Sequence, residues 1–306
     1  MSYDAGVATS VIDIGTNTLL LLIVDAQLRP LADVCRFGRL GQGLDASGRL
    51  GGDAITRCLE ICREYRQLID EHRAGPPTIV ATQALREAAN SAAFTGPAEA
   101  ILGAPIEVIA GTREAELAFT AVSQTFPELA GSPYLVVDVG GGSTELITSD
   151  GKGVVSAVSI PIGAVRLTER YLKSDPPTPG EVRALIAEID ERVAALELPT
   201  NVPVVGTAGT ATTIAAIAKG LTRHDPDRVT GVRIAPMAVD GQLARMLTQT
   251  VAQRRATRGV EPQRADVIAA GVAIYARVLQ RTDAPVLITC DRGIRWGIAY
   301  ERAKLG

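Results

Sequence analysis

Short apolar runs alternate with segments of helical periodicity along the first half of the chain. The segment 54–72 shows the helical period most clearly, with apolar side chains at Ile55, Cys58, Leu59, Cys62, Tyr65 and Ile69. The pattern predicts strands at 11–14, 19–24, 78–82 and 106–110, and helices at 54–72, 84–90 and 111–124. Strands that alternate with helices predict an α/β domain with ligands at the carboxyl ends of the strands.

The second half restarts with its own strand pair, Tyr134 to Ser149. Thr178 is a candidate N-cap, and Pro179 suits the first position of a helix that runs to about 196. The pattern predicts further strands at 153–161, 202–205 and 285–289. It predicts helices after 166 and 210, at 237–251 and at 264–280, and a terminal helix that carries Trp296. Two prolines and a glycine make 127–133 the best linker candidate, which places the domains at 1–128 and 129–294.

Both halves open with the same motif. An apolar strand ends at Asp13 or Asp138, glycine and hydroxyl residues follow, and a second apolar strand begins. The two aspartates lie 125 positions apart in a chain of 306 residues. Glycine removes the Cβ from a turn, so backbone N–H groups can approach and hold a phosphate. Two similar halves that face each other would present two phosphate loops across one cleft.

Composition narrows the class of protein. A net charge of −3 and a pI near 5.6 argue against a dedicated nucleic-acid binder, although a local arginine cluster could still bind a polyanion. The N-terminus lacks a signal-peptide pattern, and the longest apolar run, 19–24, is too short to span a bilayer. Four cysteines without zinc-type spacing and two distant histidines make a zinc site unexpected. We therefore expect a cytoplasmic protein.

The candidate chemistry is phosphoryl transfer, which needs charge neutralisation, an oriented nucleophile and usually a divalent metal. The loops 14–18, 140–144 and 206–210 offer backbone donors, and Asp13, Asp138 and Glu145 offer oxygen ligands that suit Mg²⁺. Arg86 could clamp a phosphate, or it could be an exposed helix arginine. Glu114 could be catalytic, or it could complement the dipole of its helix. The loops match neither a Walker motif nor a dinucleotide fingerprint.

Eight motifs carry a family resemblance. They are DIGTNT (13–18), ATQALREAAN (81–90), AGTREAE (110–116), DVGGGSTEL (138–146), PIGAVRL (161–167), GTAGT (206–210), RADVIAAG (264–271) and DRGIRWG (291–297). In this order they resemble the exopolyphosphatase/guanosine pentaphosphate phosphatase family, a branch of the actin-like ATPase superfamily. The resemblance implies two ribonuclease-H-like domains that flank a cleft, with a C-terminal helix, about 295–306, packed on the first domain.

The resemblance also implies an activity, which is Mg²⁺-dependent release of the terminal orthophosphate from inorganic polyphosphate. Glu114 matches the glutamate that orients and deprotonates the attacking water, and Asp138 and Glu145 match the acids near the metal. The expected phosphate-binding residues are Asp13, Gly15, Thr16, Asn17, Thr18, Arg86, Gly140, Gly141, Gly142, Ser143, Thr144, Gly209, Thr210 and Arg264. A homodimer is the family expectation, and no nucleic-acid or membrane partner is expected.

Departures from the family pattern qualify these expectations. Thr16 and Thr18 replace the usual serines and keep both hydroxyls. Arg113 stands where many relatives carry glutamate, and Glu116 where many carry arginine. The sequence ends after the second predicted domain, whereas longer relatives continue into helical domains. Short polyphosphate chains are therefore the expected substrate.

Other functions share these residues. Relatives that cleave the 5′-phosphate of guanosine pentaphosphate carry the same motifs, so guanosine phosphates are alternative ligands. An ATP-dependent acetate or sugar kinase and a non-catalytic polyphosphate or alarmone sensor are further alternatives. The arginines at 254, 255 and 258 could guide a polyanion or form a solvated helix face.

Overall fold

The computed structural model describes residues 8–305 and divides into two compact units. One unit is Met1–Ala121 with Ile294–Gly306, and the other is Val122–Gly293. The division falls inside the helix Gly111–Thr125, N-terminal to the 128/129 boundary that the sequence predicts. Ala121 and Val122 are fully buried, so the chain passes from one unit to the other along a packed helix.

The first unit is built on a mixed sheet. Its described strands are β1 (Thr9–Ile14), β2 (Leu19–Val24), β3 (Pro30–Arg36), β4 (Thr78–Ala81) and β5 (Ile106–Val108). Their order is β3-β2-β1-β4-β5, with β1 antiparallel to β2, β2 antiparallel to β3, and β4 and β5 parallel to β1. The order places the loop after β1 beside the loop after β4.

The second unit repeats this topology. Its described strands are β6 (Tyr134–Val139), β7 (Thr144–Ser149), β8 (Val154–Ile160), β9 (Val204–Thr207), β10 (Arg233–Ile234) and β11 (Leu287–Thr289). The order β10-β11-β9-β6-β7-β8 contains an antiparallel meander, β6 to β8, and β9 and β11 parallel to β6. The expected pair of ribonuclease-H-like domains is confirmed.

Helices cover these sheets. They are α1 (Leu44–Ser47), α2 (Gly52–Glu71), α3 (Gln83–Glu87), α4 (Ala92–Leu102), α5 (Gly111–Thr125), α6 (Ala164–Tyr171), α7 (Pro179–Ala194), α8 (Ala208–Ala218), α9 (Pro226–Val229), α10 (Pro236–Thr248), α11 (Val251–Arg255), α12 (Ile268–Arg281) and α13 (Ile294–Leu305). Short 3-10 turns occupy Pro127–Leu129 and Pro262–Arg264. Within the described range, none of these helices is long and apolar enough to cross a membrane.

The C-terminal helix α13 belongs to the first unit. Trp296 and Ile298 join a buried apolar cluster with Val11 and Leu22. Arg295 donates to both carboxylate oxygens of Asp33, at 3.0 and 3.1 Å. This bidentate pair ties α13 to the edge strand β3, so the last helix completes the core of the unit that begins the chain.

Candidate active site

The loop after β1 leaves three N–H groups available for a ligand. Gly15 N–H donates to the Thr18 carbonyl at 2.9 Å, and a Cβ on Gly15 would stand 3.1 Å from that oxygen. The Thr16 carbonyl accepts from the Gly41 N–H, and the Asn17 carbonyl accepts from the Arg39 N–H. The N–H groups of residues 16–18 donate to no acceptor within the described range. Consecutive free amides of this kind form an anion-binding concavity.

Two buried amide side chains lie on this edge of the sheet. Asn17 Oδ1 and Gln83 Oε1 accept no hydrogen bond from the residues that the structure describes. A buried acceptor without a donor costs free energy, so water or a ligand is expected to supply one.

The loop after β6 has the same construction. Gly140 N–H donates to the Ser143 carbonyl at 3.0 Å, and a Cβ on Gly140 would stand 3.2 Å from that oxygen. The carbonyls of Gly140 and Gly141 accept from the first two N–H groups of α6, at 2.9 and 2.8 Å. The N–H groups of residues 141–143 donate to no acceptor among the described residues. The duplication inferred from sequence therefore extends to the hydrogen bonds.

Two residues next to this loop hold it in place. A Cβ on Gly163 would stand 2.5 Å from the carbonyl of Gly141, so only glycine fits there. Arg166 Nε donates to the Gly142 carbonyl at 3.1 Å. Sequence reasoning missed the role of Arg166. Its place in the PIGAVRL motif was the available signal, but the contact reaches a loop 24 positions away.

A row of polar side chains crosses the second sheet beside this loop. The strand register pairs Asp138 with Glu145 on β7 and with Thr207 on β9, and it pairs Glu145 with Ser159 on β8. Ser159 Oγ donates to Glu145 Oε1 at 2.7 Å. Burial raises the pKa of Asp138 to about 6, while the neighbouring Thr207 hydroxyl acts in the opposite direction. Two carboxylates are thus direct cross-strand neighbours inside the protein.

This carboxylate pair fits a divalent cation. Mg²⁺ is usually held by one or two carboxylates together with water and substrate phosphates. Within residues 8–305, no three His, Cys, Asp or Glu side chains are grouped to hold a metal by themselves. In the first unit, Asp13 pairs with the apolar residues Leu20 and Val80. The donor set therefore favours the second unit as the metal-binding side.

Glu114 forms an ion pair with Arg86. Glu114 lies in the first turn of α5 and is 4% exposed. Arg86 Nη1 donates to Glu114 Oε1 and to the Ile109 carbonyl, the latter at 2.6 Å. The alternative of an exposed helix arginine is therefore wrong for Arg86. An adjacent guanidinium favours the ionised carboxylate, which is the form that a general base needs.

The loop after β9 places Arg264 over a glycine. A Cβ on Gly209 would overlap the Arg264 guanidinium, so the guanidinium lies directly against the Gly209 backbone. Arg264 Nη2 donates to Glu261 Oε2 at 3.2 Å. Ala208 has a φ of 62°, and this left-handed residue turns the chain from β9 into α8.

Two expected phosphate-binding residues have deeply buried side chains. Thr144 is fully buried, and its hydroxyl donates to the Ile162 carbonyl at 2.7 Å. Thr210 is 2% exposed and packs against Gly271, where a Cβ would stand 2.6 Å from the Thr210 hydroxyl. The Thr144 hydroxyl therefore stabilises its own loop. The assignment of Thr144 and Thr210 to the phosphate-binding loops stays a prediction.

The structure gathers the other predicted residues into separate groups. The first unit holds Asp13, the loop 15–18, Arg86 and Glu114 at the carboxyl ends of β1, β4 and β5. The second unit holds Asp138, Glu145, the loop 140–143, Gly209 and Arg264 around the carboxyl ends of β6 and β9. Each group combines anion donors with carboxylates, which is what phosphoryl transfer requires.

The comparison with protein families decides the identity of the chain. The Ppx/GppA phosphatase family model matches residues 22–305. The chain belongs to this family. The resemblance read from the eight motifs is confirmed, and the duplicated loops are features of a Ppx/GppA protein.

Similar proteins cover nearly the whole chain. Exopolyphosphatase 2 of Mycobacterium tuberculosis is 38% identical, over 95% of this chain and 97% of that protein. The guanosine-5'-triphosphate,3'-diphosphate pyrophosphatase of Vibrio cholerae is 28% identical, over 95% of this chain and 58% of that protein. The crystal structure of an exopolyphosphatase-like protein matches with a TM-score of 0.91 and 33% identity, over 98% and 99% of the two chains.

Proposed function

We propose that this Ppx/GppA protein is an exopolyphosphatase that releases terminal orthophosphate from inorganic polyphosphate, with short chains as the preferred substrate. The observation that carries the choice of substrate is the 38% identity to exopolyphosphatase 2 over 95% of the chain. The site supports the reaction class, because two loops offer free backbone N–H groups and four buried acids, Asp13, Glu114, Asp138 and Glu145, lie beside them.

In this proposal Glu114 is the general base. Its carboxylate orients a water molecule and takes a proton as the water oxygen attacks the terminal phosphorus. A new P–O bond forms to the water oxygen, and the bond from phosphorus to the bridging oxygen breaks. Orthophosphate leaves, and the shortened chain retains the bridging oxygen. The ion pair with Arg86 supports this role because it holds the carboxylate in a fixed position.

Arg86 and the glycine loops bind the phosphate chain in this proposal. Arg86 has donors left after its contacts with Glu114 and Ile109, because a guanidinium carries five N–H groups. The free N–H groups at 16–18 and 141–143 neutralise phosphate oxygens without adding charge. Arg264 provides a further guanidinium, which lies against the Gly209 backbone.

Asp138 and Glu145 would hold a divalent cation, which we propose to be Mg²⁺. Their cross-strand pairing and burial support this assignment. When bound, such an ion neutralises charge on the phosphate oxygens and so stabilises the transition state.

A second candidate is hydrolysis of the 5′-terminal phosphate of guanosine pentaphosphate. The 28% identity to the pyrophosphatase of Vibrio cholerae favours it. A phosphate chain that ends a nucleotide presents the same terminal group as polyphosphate, so the loops and Glu114 would act in the same way. Under this candidate the protein would act in the stringent response.

The experiment compares phosphate release from tripolyphosphate, long-chain polyphosphate and guanosine pentaphosphate, with Mg²⁺ and no added nucleotide. Fastest release from tripolyphosphate supports the proposal. Release from guanosine pentaphosphate alone replaces it with the second candidate. A phosphorylated acceptor formed only with ATP would indicate a kinase, and tight binding without turnover would indicate a sensor.

We further propose that the enzyme is a cytoplasmic homodimer. The homodimer rests on the family resemblance, and the location rests on the sequence pattern and composition. Light scattering coupled to size-exclusion chromatography tests the homodimer, and fractionation of cells tests the location.

A further inference from the structure

Arg254 is a buried cation outside the phosphate-binding set. It lies on α11 and is 2% exposed, whereas Arg255 and Arg258 of the same cluster are exposed. Arg254 is therefore not part of a solvated helix face, and only Arg255 and Arg258 of the cluster face solvent. Burial lowers the pKa of Arg254, and the carboxylate of Asp175, at 3.7 Å, acts in the opposite direction. A buried guanidinium needs a structural or functional reason.

The contacts of Arg254 go mainly to backbone carbonyls. Its Nη1 atom lies 3.1 Å from the Ala265 carbonyl and 3.3 Å from that of Asp266, and its Nε atom donates to the Gln249 carbonyl at 3.3 Å. Ala265 is fully buried and follows the 3-10 turn Pro262–Arg264. The guanidinium thus donates to carbonyls in the segment between this turn and α12, where the regular hydrogen bonds of a helix are interrupted.

Arg264 lies directly before this segment. Arg264 N–H donates to the Glu261 carbonyl at 2.8 Å, and Val267 N–H donates to the Arg264 carbonyl at 3.1 Å. The Arg264 guanidinium lies against Gly209 at the start of α8. A chain of contacts therefore leads from Arg254 through the backbone of 265–266 to the Arg264 side chain and the loop after β9.

We propose that Arg254 is a positioning residue, which holds the backbone after Arg264 so that the Arg264 guanidinium stays over Gly209 and ready for a phosphate chain. This inference rests on the proposed function for the role of Arg264. Its geometric part, the order of residues 261–267, does not. Lysine would be a poor substitute, because an ammonium on a flexible stem lacks the fixed, planar set of donors that contacts three carbonyls.

The test uses the full chain with Arg254→Met, Arg254→Lys, Arg264→Met, the double variant Arg254→Met/Arg264→Met, and Arg258→Met as the matched control. The KM and kcat for tripolyphosphate are measured for each. We expect Arg254→Met to raise KM about tenfold with little change in kcat, because it weakens binding of substrate and transition state alike. Arg254→Lys is expected to fall between Arg254→Met and the wild type.

The double variant separates positioning from general stability. If Arg254 acts through Arg264, the double variant has the KM of Arg264→Met alone, because coupled residues are not additive. The proposal would be overturned if the rise of KM in the double variant equals the product of the rises in the two single variants. An equal rise of KM in Arg258→Met would overturn it as well. Should Arg254→Met fail to fold, the cycle is measured with Arg254→Lys in both backgrounds.

Hydrogen exchange provides a readout that needs no substrate. Exchange of the Arg264 and Val267 amides is expected to increase several-fold in Arg254→Lys and Arg254→Met, and to stay unchanged in Arg258→Met. Unchanged exchange in all variants would overturn the proposal even if tripolyphosphate is hydrolysed. Increased exchange in a protein that hydrolyses no polyphosphate would support the positioning role and contradict only the proposed function.

Discussion

Arg86 Nη1 contacts both the Glu114 carboxylate and the carbonyl of Ile109. Arg86 lies on α3 and Glu114 on α5, so the ion pair joins two elements at one edge of the first sheet. The positive charge of Arg86 compensates the carboxylate of Glu114, which is almost fully buried. Removing either residue would leave the charge of the other uncompensated. The pair thus holds the proposed base and a proposed phosphate-binding cation together.

Replacing Arg86 with lysine tests this arrangement. Lysine keeps the charge but cannot contact Glu114, the Ile109 carbonyl and a phosphate with one planar group. We expect Arg86→Lys to lower kcat/KM for tripolyphosphate by at least about tenfold, the effect of losing one or two charge-assisted hydrogen bonds. Arg113→Lys is the control, since Arg113 pairs with Glu116 and Glu301 in a partly exposed position. Equal effects of the two substitutions would contradict the role given to Arg86.

The fit between α6 and the glycine loop predicts the effect of a single methyl group. A Cβ on Gly163 would stand 2.5 Å from the Gly141 carbonyl, and a backbone cannot move aside as a flexible side chain can. Gly163→Ala is expected to lower the free energy of unfolding by about 1–3 kcal/mol and to reduce phosphate release more than tenfold. Gly153→Ala, where the Cβ would meet open space, should change neither quantity. Urea unfolding and phosphate release check both variants.

The proposed cation site at Asp138 and Glu145 predicts that activity depends on a divalent metal. Removal of divalent cations with a chelator should abolish phosphate release, and added Mg²⁺ should restore it. Asp138→Asn and Glu145→Gln are expected to raise the Mg²⁺ concentration for half-maximal activity by about 10–100-fold, because each removes a charged oxygen ligand. Asp150→Asn, which replaces an exposed acid in the turn between β7 and β8, is the control. An unchanged Mg²⁺ requirement in both site variants would place the metal elsewhere.

The ion pair between His224 and Asp291 predicts that the stability of the fold depends on pH. His224 Nε2 lies 2.8 Å from Asp291 Oδ1, and this hydrogen bond raises the pKa of His224 while burial acts against it. A histidine with a raised pKa stabilises the fold fully below its unfolded pKa of about 6.5, and this contribution is lost as pH rises through the folded pKa. His224→Gln should therefore lower the Tm more at about pH 5.5 than at about pH 8.5. Asp291→Asn should reduce the pH dependence in the same way. A constant Tm difference across this range would contradict the assignment.

The duplicated architecture could be predicted from the sequence because its signals are local. Asp13 and Asp138 each end an apolar run, and glycine and hydroxyl residues follow each of them. The N-cap at Thr178 was also predictable, and the structure shows its full capping box with Glu181. Strand β3 was missed because its polar edge position lacks an apolar run, and the burial of its side chains alternates only weakly.

Contacts between distant segments could not be predicted. The sequence predicted Arg86 and Glu114 as site residues independently of each other, but only the fold shows that they form an ion pair. Arg113 and Glu116 carry charges opposite to those of many relatives at these positions. The structure explains why both charges are changed together, since the two residues form an ion pair with each other. The predicted helix at 264–280 begins at Ile268 instead, because Arg264 ends a 3-10 turn whose neighbouring carbonyls accept from Arg254. Each of these results depends on tertiary contacts that no local pattern encodes.

The most direct test of the account is phosphate release from tripolyphosphate by Glu114→Gln, with binding of the same substrate measured in parallel by calorimetry. Glutamine keeps the shape of the side chain but cannot accept a proton from water at neutral pH. We predict that kcat falls by at least about 100-fold, the usual size of a general-base contribution, while the Kd changes less than about threefold. Glu116→Gln, an exposed neighbour on α5, should behave as the wild type. Undiminished phosphate release by Glu114→Gln would contradict the assignment of Glu114 as the base.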